Sequence, residues 1–302
     1  MPLPNTILIG VQKAGTSSLY DWISQHPEVC GNVSVKDFPF FINNKFYNKG
    51  LDYLSRIFSS YFKNEKIVFH GNVQYIFNTV GLKRIQKDIP NPKFILILRN
   101  PVDRLFSSFN YFKKMHLEDE DDILVASIEK RKERENSNDF VIRHGLTYIE
   151  HGLYAKQLQE FYKYFKPEQL HVCYFEDLTL NKERIIKDIY RFLDIADNFI
   201  PDFKIKNKTG KVRSDFLQSI FFKKNNLRKF IVDNLIDPFL PLHKRTELRW
   251  KLKELNTKKG GKNERYELSE TDRKILSKYF LKDTEELEKI LNVDLSNWKI
   301  LY

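Results

Sequence analysis

A glycine-bounded turn near the start of the chain has the residue types of a phosphate-binding site. The run at 6–10 predicts a strand, the residues between Gly10 and Gly15 predict a turn, and the stretch 16–26 predicts a helix. Backbone N–H groups in such a turn point inward, and the first helical turn adds unpaired donors and a positive dipole end. We therefore predict an anion site formed by Lys13, Ala14, Gly15, Thr16, Ser17 and Ser18.

The lysine of this turn lies inside it, at position 13. In the nucleoside-triphosphate loop G-x-x-x-x-G-K-[ST] the lysine follows the second glycine and the next hydroxyl binds Mg²⁺, whereas here Thr16 follows Gly15. A cation inside the turn lies alongside the phosphate rather than beyond its terminal oxygens. Lys13 is therefore predicted to neutralise a leaving phosphate rather than bind a metal-bound triphosphate. An ordinary strand-to-helix turn is the alternative interpretation.

An arginine marks a second strand-to-helix junction. Residues 94–98 form a continuous apolar run that is typical of a strand buried in a parallel sheet, and the run ends at Arg99. Pro101 can open a helix that carries Ser107. A guanidinium at the strand end and a hydroxyl on the helix can bind one anion outside the sheet edge. We predict a second phosphate site at Arg99 and Ser107, with a solvent-facing arginine as the alternative.

Further motifs follow along the chain. They are QHPEV at 25–29, KDFPFF at 36–41, PEQL at 167–170 and YFEDL at 174–178. Together with both phosphate motifs, they resemble the PAPS-dependent sulfotransferases, in the branch that includes the heparan-sulfate enzymes and bacterial relatives. The resemblance implies that the first turn binds the 5′-phosphosulfate of PAPS (3′-phosphoadenosine 5′-phosphosulfate), and that Arg99 and Ser107 bind its 3′-phosphate. It also implies PAP as the product and no metal.

The general base is where the sequence departs from the pattern it resembles. Related carbohydrate enzymes have a glutamate in a KE-x-HFF segment, and the matching residue here is Asp37, with Pro39 at the histidine position. A carboxylate among the phenylalanines of 38–41 is expected to be shielded from water, as general bases often are. The family's EK[ST]-x-x-Y element corresponds to a segment that starts with His70 and Gly71. Asp37 and His70 are alternative bases.

The net charge of +11 is concentrated in the C-terminal third, where residues 204–265 contain 18 Lys and Arg against 6 Asp and Glu. No helix-turn-helix, zinc-finger or RNP-like pattern accompanies this excess, so PAPS and an acidic glycan are favoured as partners over nucleic acid. Related enzymes close a lysine-bearing loop over the donor at this point in the chain. The resemblance therefore assigns Lys258, Lys259 and Lys262 to phosphate contact, with a solvated lysine run as the alternative.

Length and composition predict one globular domain, 1–302, that is 41% hydrophobic and 30% charged. No run is long enough to cross a bilayer and no signal-sequence pattern opens the chain, so a cytoplasmic protein is expected, with a trimmed lumenal catalytic domain as the alternative. The basic amphipathic segment 216–242 is predicted to pack on the sheet, with contact to an anionic membrane as the alternative. Cys30 and Cys173 are predicted to be buried thiols, and the acidic run 118–122 is predicted to be exposed.

These elements predict a three-layer, P-loop-like α/β domain with a central parallel sheet flanked by helices. Its strands include 6–10, 94–98 and 170–175, and both phosphate sites lie outside the carboxyl ends of the strands. The predicted function is sulfuryl transfer from PAPS to a hydroxyl or amine, with a carbohydrate as the favoured acceptor. The alternatives are a P-loop nucleotide or small-molecule kinase, and a catalytically impaired protein that binds anions or glycans.

Overall fold

The chain divides into two compact units. The computed structural model describes residues 1–31, 36–204, 211–212, 257–258 and 268–299. The first unit comprises the described residues of Met1–Arg104, Leu153–Asn207 and Phe280–Leu301, and the second comprises those of Leu105–Gly152 and Lys208–Tyr279. Because segments of the two units alternate along the chain, neither unit is a simple N-terminal or C-terminal domain. The organisation of 1–302 as one domain stays a prediction.

A five-stranded parallel sheet forms the centre of the first unit, in the order β2-β3-β1-β4-β5. The strands are β1 (Thr6–Gly10), β2 (Val29–Gly31), β3 (Ile67–Gly71), β4 (Lys93–Leu98) and β5 (Leu170–Tyr174). Every residue of β1 is buried, as expected for a central strand covered on both faces. Since all these strands run the same way, their carboxyl ends meet at one edge of the sheet.

Helices flank the sheet and fill the connections. The α-helices are α1 (Thr16–Ser24), α2 (Asn44–Tyr47), α3 (Leu51–Ser59), α4 (Thr79–Asp88), α5 (Pro101–Lys114), α6 (Arg131–Glu135), α7 (Phe140–Gly145), α8 (Tyr154–Phe161), α9 (Phe175–Leu180), α10 (Lys182–Leu193), α11 (Glu270–Ser277) and α12 (Leu281–Leu291). In the second unit, a short antiparallel pair joins β6 (Lys211–Val212) to β7 (Thr257–Lys258). The predicted α/β fold with a central parallel sheet is confirmed.

Two strand boundaries and one helix boundary differ from the prediction by one or two residues. The strand expected at 94–98 begins at Lys93, and the one expected at 170–175 ends at Tyr174, because Phe175 already starts α9. The helix expected at 16–26 ends at Ser24. Within the described ranges, every helix is too short or too polar to span a bilayer.

The QHPEV motif joins the end of α1 to the segment after α10. Gln25 exchanges two hydrogen bonds with the backbone of Asp202, at 2.8 and 3.2 Å. The His26 imidazole Nε2 donates to the carbonyl of Ala196 at 2.8 Å, and the Glu28 carboxylate accepts from the N–H of Ala196 at 2.9 Å. The motif is therefore structural, since its polar side chains are used in holding two segments of the first unit together.

Both cysteines are buried and free, as predicted. Burial raises the pKa of the Cys30 thiol to about 11 and that of Cys173 to about 12, so both remain protonated at neutral pH. A buried thiol of this kind is an inert packing group rather than a nucleophile.

A buried ion pair organises the second unit and corrects one prediction. Glu118 was expected to be exposed, but its side chain is fully buried. Arg134 binds its two carboxylate oxygens at 2.7 and 2.8 Å, and the Tyr148 hydroxyl donates to it at 2.7 Å. These partners lie 16 and 30 residues away in the sequence, so a local acidic run gave no sign of them.

Replacing Arg134 by methionine should destabilise the protein strongly, because the Glu118 carboxylate would remain buried without its counter-charge. Breaking a buried pair on one side costs roughly 3–5 kcal/mol of unfolding free energy, which urea denaturation measures. Arg191→Met is the matched control, since Arg191 pairs with Asp197 at 62% side-chain exposure and exposed pairs contribute little. Equal losses in both variants would contradict the role of the buried pair.

Candidate phosphate-binding and active site

A glycine determines the backbone conformation of the turn after β1. Gly15, the N-cap residue of α1, has a φ of 83° and no side chain that caps the helix. A Cβ atom at this position would lie 3.0 Å from the Phe175 ring, so only glycine is accommodated. The first N–H groups of a helix have no partner within it; in α1 the Ser18 N–H already donates to the Gly15 carbonyl at 3.1 Å, so the candidate anion donors are the N–H groups of Thr16 and Ser17. They form a cradle of donors that suits a phosphate.

Lys13 has a left-handed backbone, with a φ of 70°. This conformation costs a non-glycine residue roughly 1–2 kcal/mol, and such residues are concentrated at functional sites. The Lys13 carbonyl accepts a hydrogen bond of 3.0 Å from Arg99 Nη1. The Val11 N–H donates to the carbonyl of Ile97 at 2.9 Å. The turn is thus attached to β4 at two points.

Arg99 lies between the glycine turn and α9. Its guanidinium carbon is 4.5 Å from the centre of the Phe175 ring, and its own carbonyl accepts from the Tyr154 hydroxyl at 2.9 Å. Burial lowers the pKa of Arg99, and the carboxylates of Asp103 and Glu176 oppose this change. The structure therefore brings Arg99 to the same turn as Lys13 and Gly15.

Ser107 lies on α5, in the second unit, so its predicted pairing with Arg99 stays a prediction. The helix begins at Pro101 as predicted. Asn100 caps it by accepting from the N–H groups of Val102 and Asp103, at 3.0 and 3.3 Å. An asparagine directly before Pro101 is the usual sequence sign of such a cap.

Asp37 is anchored to the carboxyl end of β3. Its N–H donates to the carbonyl of Gly71 at 2.7 Å, and its own carbonyl accepts from Asn72 Nδ2 at 3.1 Å. Its Oδ1 accepts from the N–H of Val73 at 3.3 Å, and its Oδ2 lies 2.8 Å from Lys36 Nζ. Since β3 pairs with β1 in parallel, this carboxylate and the glycine turn belong to neighbouring strand ends.

The expected shielding of Asp37 from water is wrong, because 44% of its side chain is exposed. The three phenylalanines that follow it fill the core: Phe38 is 7% exposed, and Phe40 and Phe41 are fully buried. Asp37 has a left-handed φ of 65°. This backbone conformation and the bond to Lys36 keep the carboxylate at the surface while its neighbours are buried.

His70 is a core residue of β3, only 1% exposed. Its Nε2 shares a hydrogen bond of 2.9 Å with the Tyr75 hydroxyl, which also contacts the carbonyl of Phe38 at 3.3 Å and the N–H of Phe41 at 3.4 Å. Burial lowers the pKa of His70 to about 4, against a smaller opposite effect of Asp37. His70 is therefore neutral at pH 7 and supports the segment that follows Asp37.

Gly71 is glycine for a steric reason. A Cβ atom there would lie 2.9 Å from the ring of Tyr20. Tyr20 stacks on Phe69 at 4.5 Å between ring centres and donates its hydroxyl hydrogen to the Phe69 carbonyl. The sulfotransferase pattern that this sequence resembles has a lysine at this position. Its absence here is therefore linked to core packing.

The predicted lysine loop is only partly within the described residues. Lys258 pairs through its backbone with Lys211, in β7 and β6, whereas Lys259 and Lys262 lie outside the described residues, as does the segment 216–242. In the part of the chain that the structure describes, no cluster of three His, Cys, Asp or Glu side chains has the geometry to hold a metal ion. That the reaction needs no metal stays a prediction.

A parallel α/β sheet with a glycine turn and an anchored arginine at its carboxyl edge defines a P-loop-like, anion-binding protein. Residues 3–225 match the family model described as the sulfotransferase domain, and the chain belongs to this family, which uses PAPS as its donor. The predicted family is confirmed.

Known proteins similar to this chain carry the same domain. A crystal structure of a sulfotransferase from Alicyclobacillus acidocaldarius is 22% identical with a TM-score of 0.68, covering 99% of this chain and 100% of that one, which shows the fold. The membrane-associated sulfotransferase kil1 of Dictyostelium discoideum is 24% identical over an alignment of 280 residues, and the match covers 68% of this chain. Human heparan sulfate glucosamine 3-O-sulfotransferase 5 is 26% identical over 199 residues, or 66% of this chain. The chain covers 59% and 53% of the lengths of these two relatives.

Replacing Gly15 by alanine should weaken binding of PAP by about tenfold or more, equivalent to about 1.4 kcal/mol, because the new Cβ would meet Phe175 and distort the turn. The rise in melting temperature on addition of PAP measures this. Gly50→Ala is the control for positive φ: its φ of 78° and ψ of 171° are at least as unfavourable for alanine as the backbone of Gly15, but none of the described residues lies within 4 Å of a Cβ there. If both variants bound PAP equally, the turn would not be the anion site.

Proposed function

We propose that this protein transfers a sulfuryl group from PAPS to a hydroxyl or amine of a carbohydrate. The observation that carries the proposal is the glycine turn held open by Arg99, with the Asp37 carboxylate anchored at the neighbouring strand end. Family membership supports the donor. The name of the human relative supports the acceptor class, since that relative is a heparan sulfate glucosamine 3-O-sulfotransferase.

The proposed reaction is an in-line displacement at sulfur. The acceptor oxygen or nitrogen forms a bond to sulfur while the bond between sulfur and the 5′-phosphate oxygen breaks, and that oxygen keeps the electron pair. Asp37 takes the acceptor's proton, and the Lys13 ammonium neutralises the charge that develops on the departing phosphate of PAP. The cradle of N–H groups after Gly15 binds the same phosphate.

The choice of Asp37 over His70 as base rests on access to the acceptor. The Asp37 side chain is 44% exposed, whereas His70 is 1% exposed and already hydrogen-bonded to Tyr75. A base must come within hydrogen-bonding distance of the proton it removes. Asp37 meets this requirement without rearrangement of the core.

The remaining assignments complete the proposed donor site. Arg99 and Ser107 bind the 3′-phosphate, and Ala14, Thr16, Ser17 and Ser18 line the 5′ side. Lys258, Lys259 and Lys262 cover the phosphates; a lysine run that stays solvated is the alternative for these three. The cytoplasmic location expected from the sequence also stays a prediction, to be checked by cell fractionation.

Transfer of ³⁵S from labelled PAPS to a panel of acceptors tests the proposal. The panel contains desulfated heparan and chondroitin, a tyrosine peptide and a simple phenol, and every reaction contains EDTA. Label on a glycan supports the proposal. Label on the peptide or the phenol alone would show that the acceptor is not a carbohydrate. No label on any acceptor would overturn the proposed activity in favour of an anion-binding protein. Calorimetry distinguishes the kinase alternative from the proposed sulfotransferase. A kinase would bind ATP together with Mg²⁺, whereas the proposed sulfotransferase would bind PAP without a metal.

Lys13→Ala should abolish turnover while weakening PAP binding less than Arg99→Ala does. Loss of one preorganised electrostatic contact at a developing charge typically lowers kcat by about 10²–10³, whereas Arg99 acts on the bound nucleotide and on the shape of the turn. Sulfuryl-transfer rates and calorimetric affinities for PAP measure the two effects separately. Equal loss of both properties in each variant would contradict the assigned roles.

Asp37→Asn should lower kcat by about 10²–10⁴, the usual contribution of a general base, with PAP affinity unchanged. His70→Gln keeps a polar side chain beside Tyr75 and should leave kcat close to that of the parent protein. Single-turnover assays across pH measure both variants. If His70→Gln lost activity while Asp37→Asn retained it, the base would be His70.

The same His70 variant has a predicted effect on stability against pH. The folded-state pKa of about 4 lies below the ordinary value of 6.5, so the unfolded chain takes up the proton first. Stability therefore falls as pH drops from about 6.5 to about 4, and this part of the fall should be absent in His70→Gln. Urea unfolding at pH 7 and pH 5 compares the two proteins.

A further inference from the structure

Lys36 is a buried ammonium whose charge has no assigned use. Its side chain is 5% exposed, and its Nζ lies 2.8 Å from Asp37 Oδ2. Among the described residues, Asp37 supplies the one carboxylate within ion-pairing distance of it. A buried cation without a counter-charge is strongly unfavourable. The ionised carboxylate of Asp37 therefore balances the buried charge of Lys36, and Lys36 in turn holds that carboxylate in place.

The two carboxylate oxygens of Asp37 have different hydrogen-bond partners. Oδ2 faces the buried ammonium of Lys36, while Oδ1 accepts from the N–H of Val73 at 3.3 Å. The backbone on either side of the carboxylate is fixed to Gly71 and Asn72. The carboxylate thus has one orientation, set by donors on its protein side, although 44% of the side chain is exposed.

We propose that Lys36 is a positioning residue for the reaction, which holds Asp37 ionised and oriented toward the acceptor. The inference rests on the proposed function, because it assigns Lys36 a role through the proposed base. When Asp37 takes the acceptor's proton, Lys36 loses its counter-charge inside the protein. The protonated form of Asp37 is then unfavourable, so the proton passes on to water and the base is restored for the next turnover.

Three titratable groups act on Asp37 in the described structure: Lys36, His70 and Tyr75. His70 is neutral at pH 7, and burial raises the pKa of Tyr75 far above neutrality. Lys36 is therefore the charged group in direct contact with the Asp37 carboxylate. A cation in such contact favours the ionised form of a carboxylate.

Lys36→Met and Lys36→Arg test the proposal. Methionine keeps the length and apolar stem of the side chain without its charge, and arginine keeps the charge. We expect the acid limb of the kcat/KM profile to move up by about one pH unit in Lys36→Met, so that activity falls about tenfold at low pH and much less at pH 8. Lys36→Arg should keep its acid limb close to that of the parent protein.

A direct titration makes the test independent of activity. In protein labelled with ¹³C at the aspartate carboxyl groups, the Asp37 signal is identified by its loss in Asp37→Asn, and its midpoint is followed against pH. A higher midpoint in Lys36→Met than in the parent protein and Lys36→Arg supports the inference, even if no sulfuryl transfer is found. An unchanged midpoint overturns it, as does a loss of kcat/KM that is the same at every pH. Should Lys36→Met fail to fold, Lys36→Gln takes its place under the same criteria.

Discussion

One arginine connects the glycine turn after β1 to the neighbouring strand end and to α9. Arg99 donates to the carbonyl of Lys13, and its guanidinium stacks on Phe175. The left-handed backbone of Lys13 and the glycine N-cap of α1 therefore rest on a bond from the end of the adjacent strand β4. Parallel strands make this bond possible, because the ends of β1 and β4 meet at one edge of the sheet without a long connection. The backbone of the glycine turn is supported by this contact, although Arg99 lies 86 positions further along the chain.

On the other side of β1, the proposed base is positioned by the same geometric rule. Asp37 is attached by its backbone to the end of β3, so its place is set by the sheet rather than by a flexible loop. Beneath it, His70 and Tyr75 form a hydrogen bond with each other, and the Tyr75 hydroxyl also contacts the backbone of 38–41. Burial keeps His70 neutral. A residue with the chemistry of a base thus serves as a core support, whereas the Asp37 carboxylate is partly exposed to solvent.

The fold and the glycine turn after β1 could be predicted from sequence because both are encoded locally, whereas phosphate binding by this turn stays a prediction. Continuous apolar runs indicated β1 and β4, and a glycine at the first turn of α1 indicated the cradle. Exposure of charged side chains could not be predicted in the same way. Glu118 is buried because Arg134 comes from a distant segment, and Asp37 is exposed because its backbone is left-handed and Lys36 holds it. Both facts depend on contacts that a reading of neighbouring residues does not contain.

The position of positive charge around the site follows from core packing. Related enzymes have a lysine where this chain has Gly71, but the ring of Tyr20 occupies the space into which that side chain would grow. Tyr20 is itself fixed by stacking on Phe69 and by a hydrogen bond to its carbonyl. A lysine at 71 would therefore displace a core tyrosine, whose burial contributes far more than one solvated charge. The positive charge near the proposed base comes instead from Lys36, the residue that precedes Asp37 in sequence. Its side chain is buried, and its ammonium contacts the Asp37 carboxylate from the protein side.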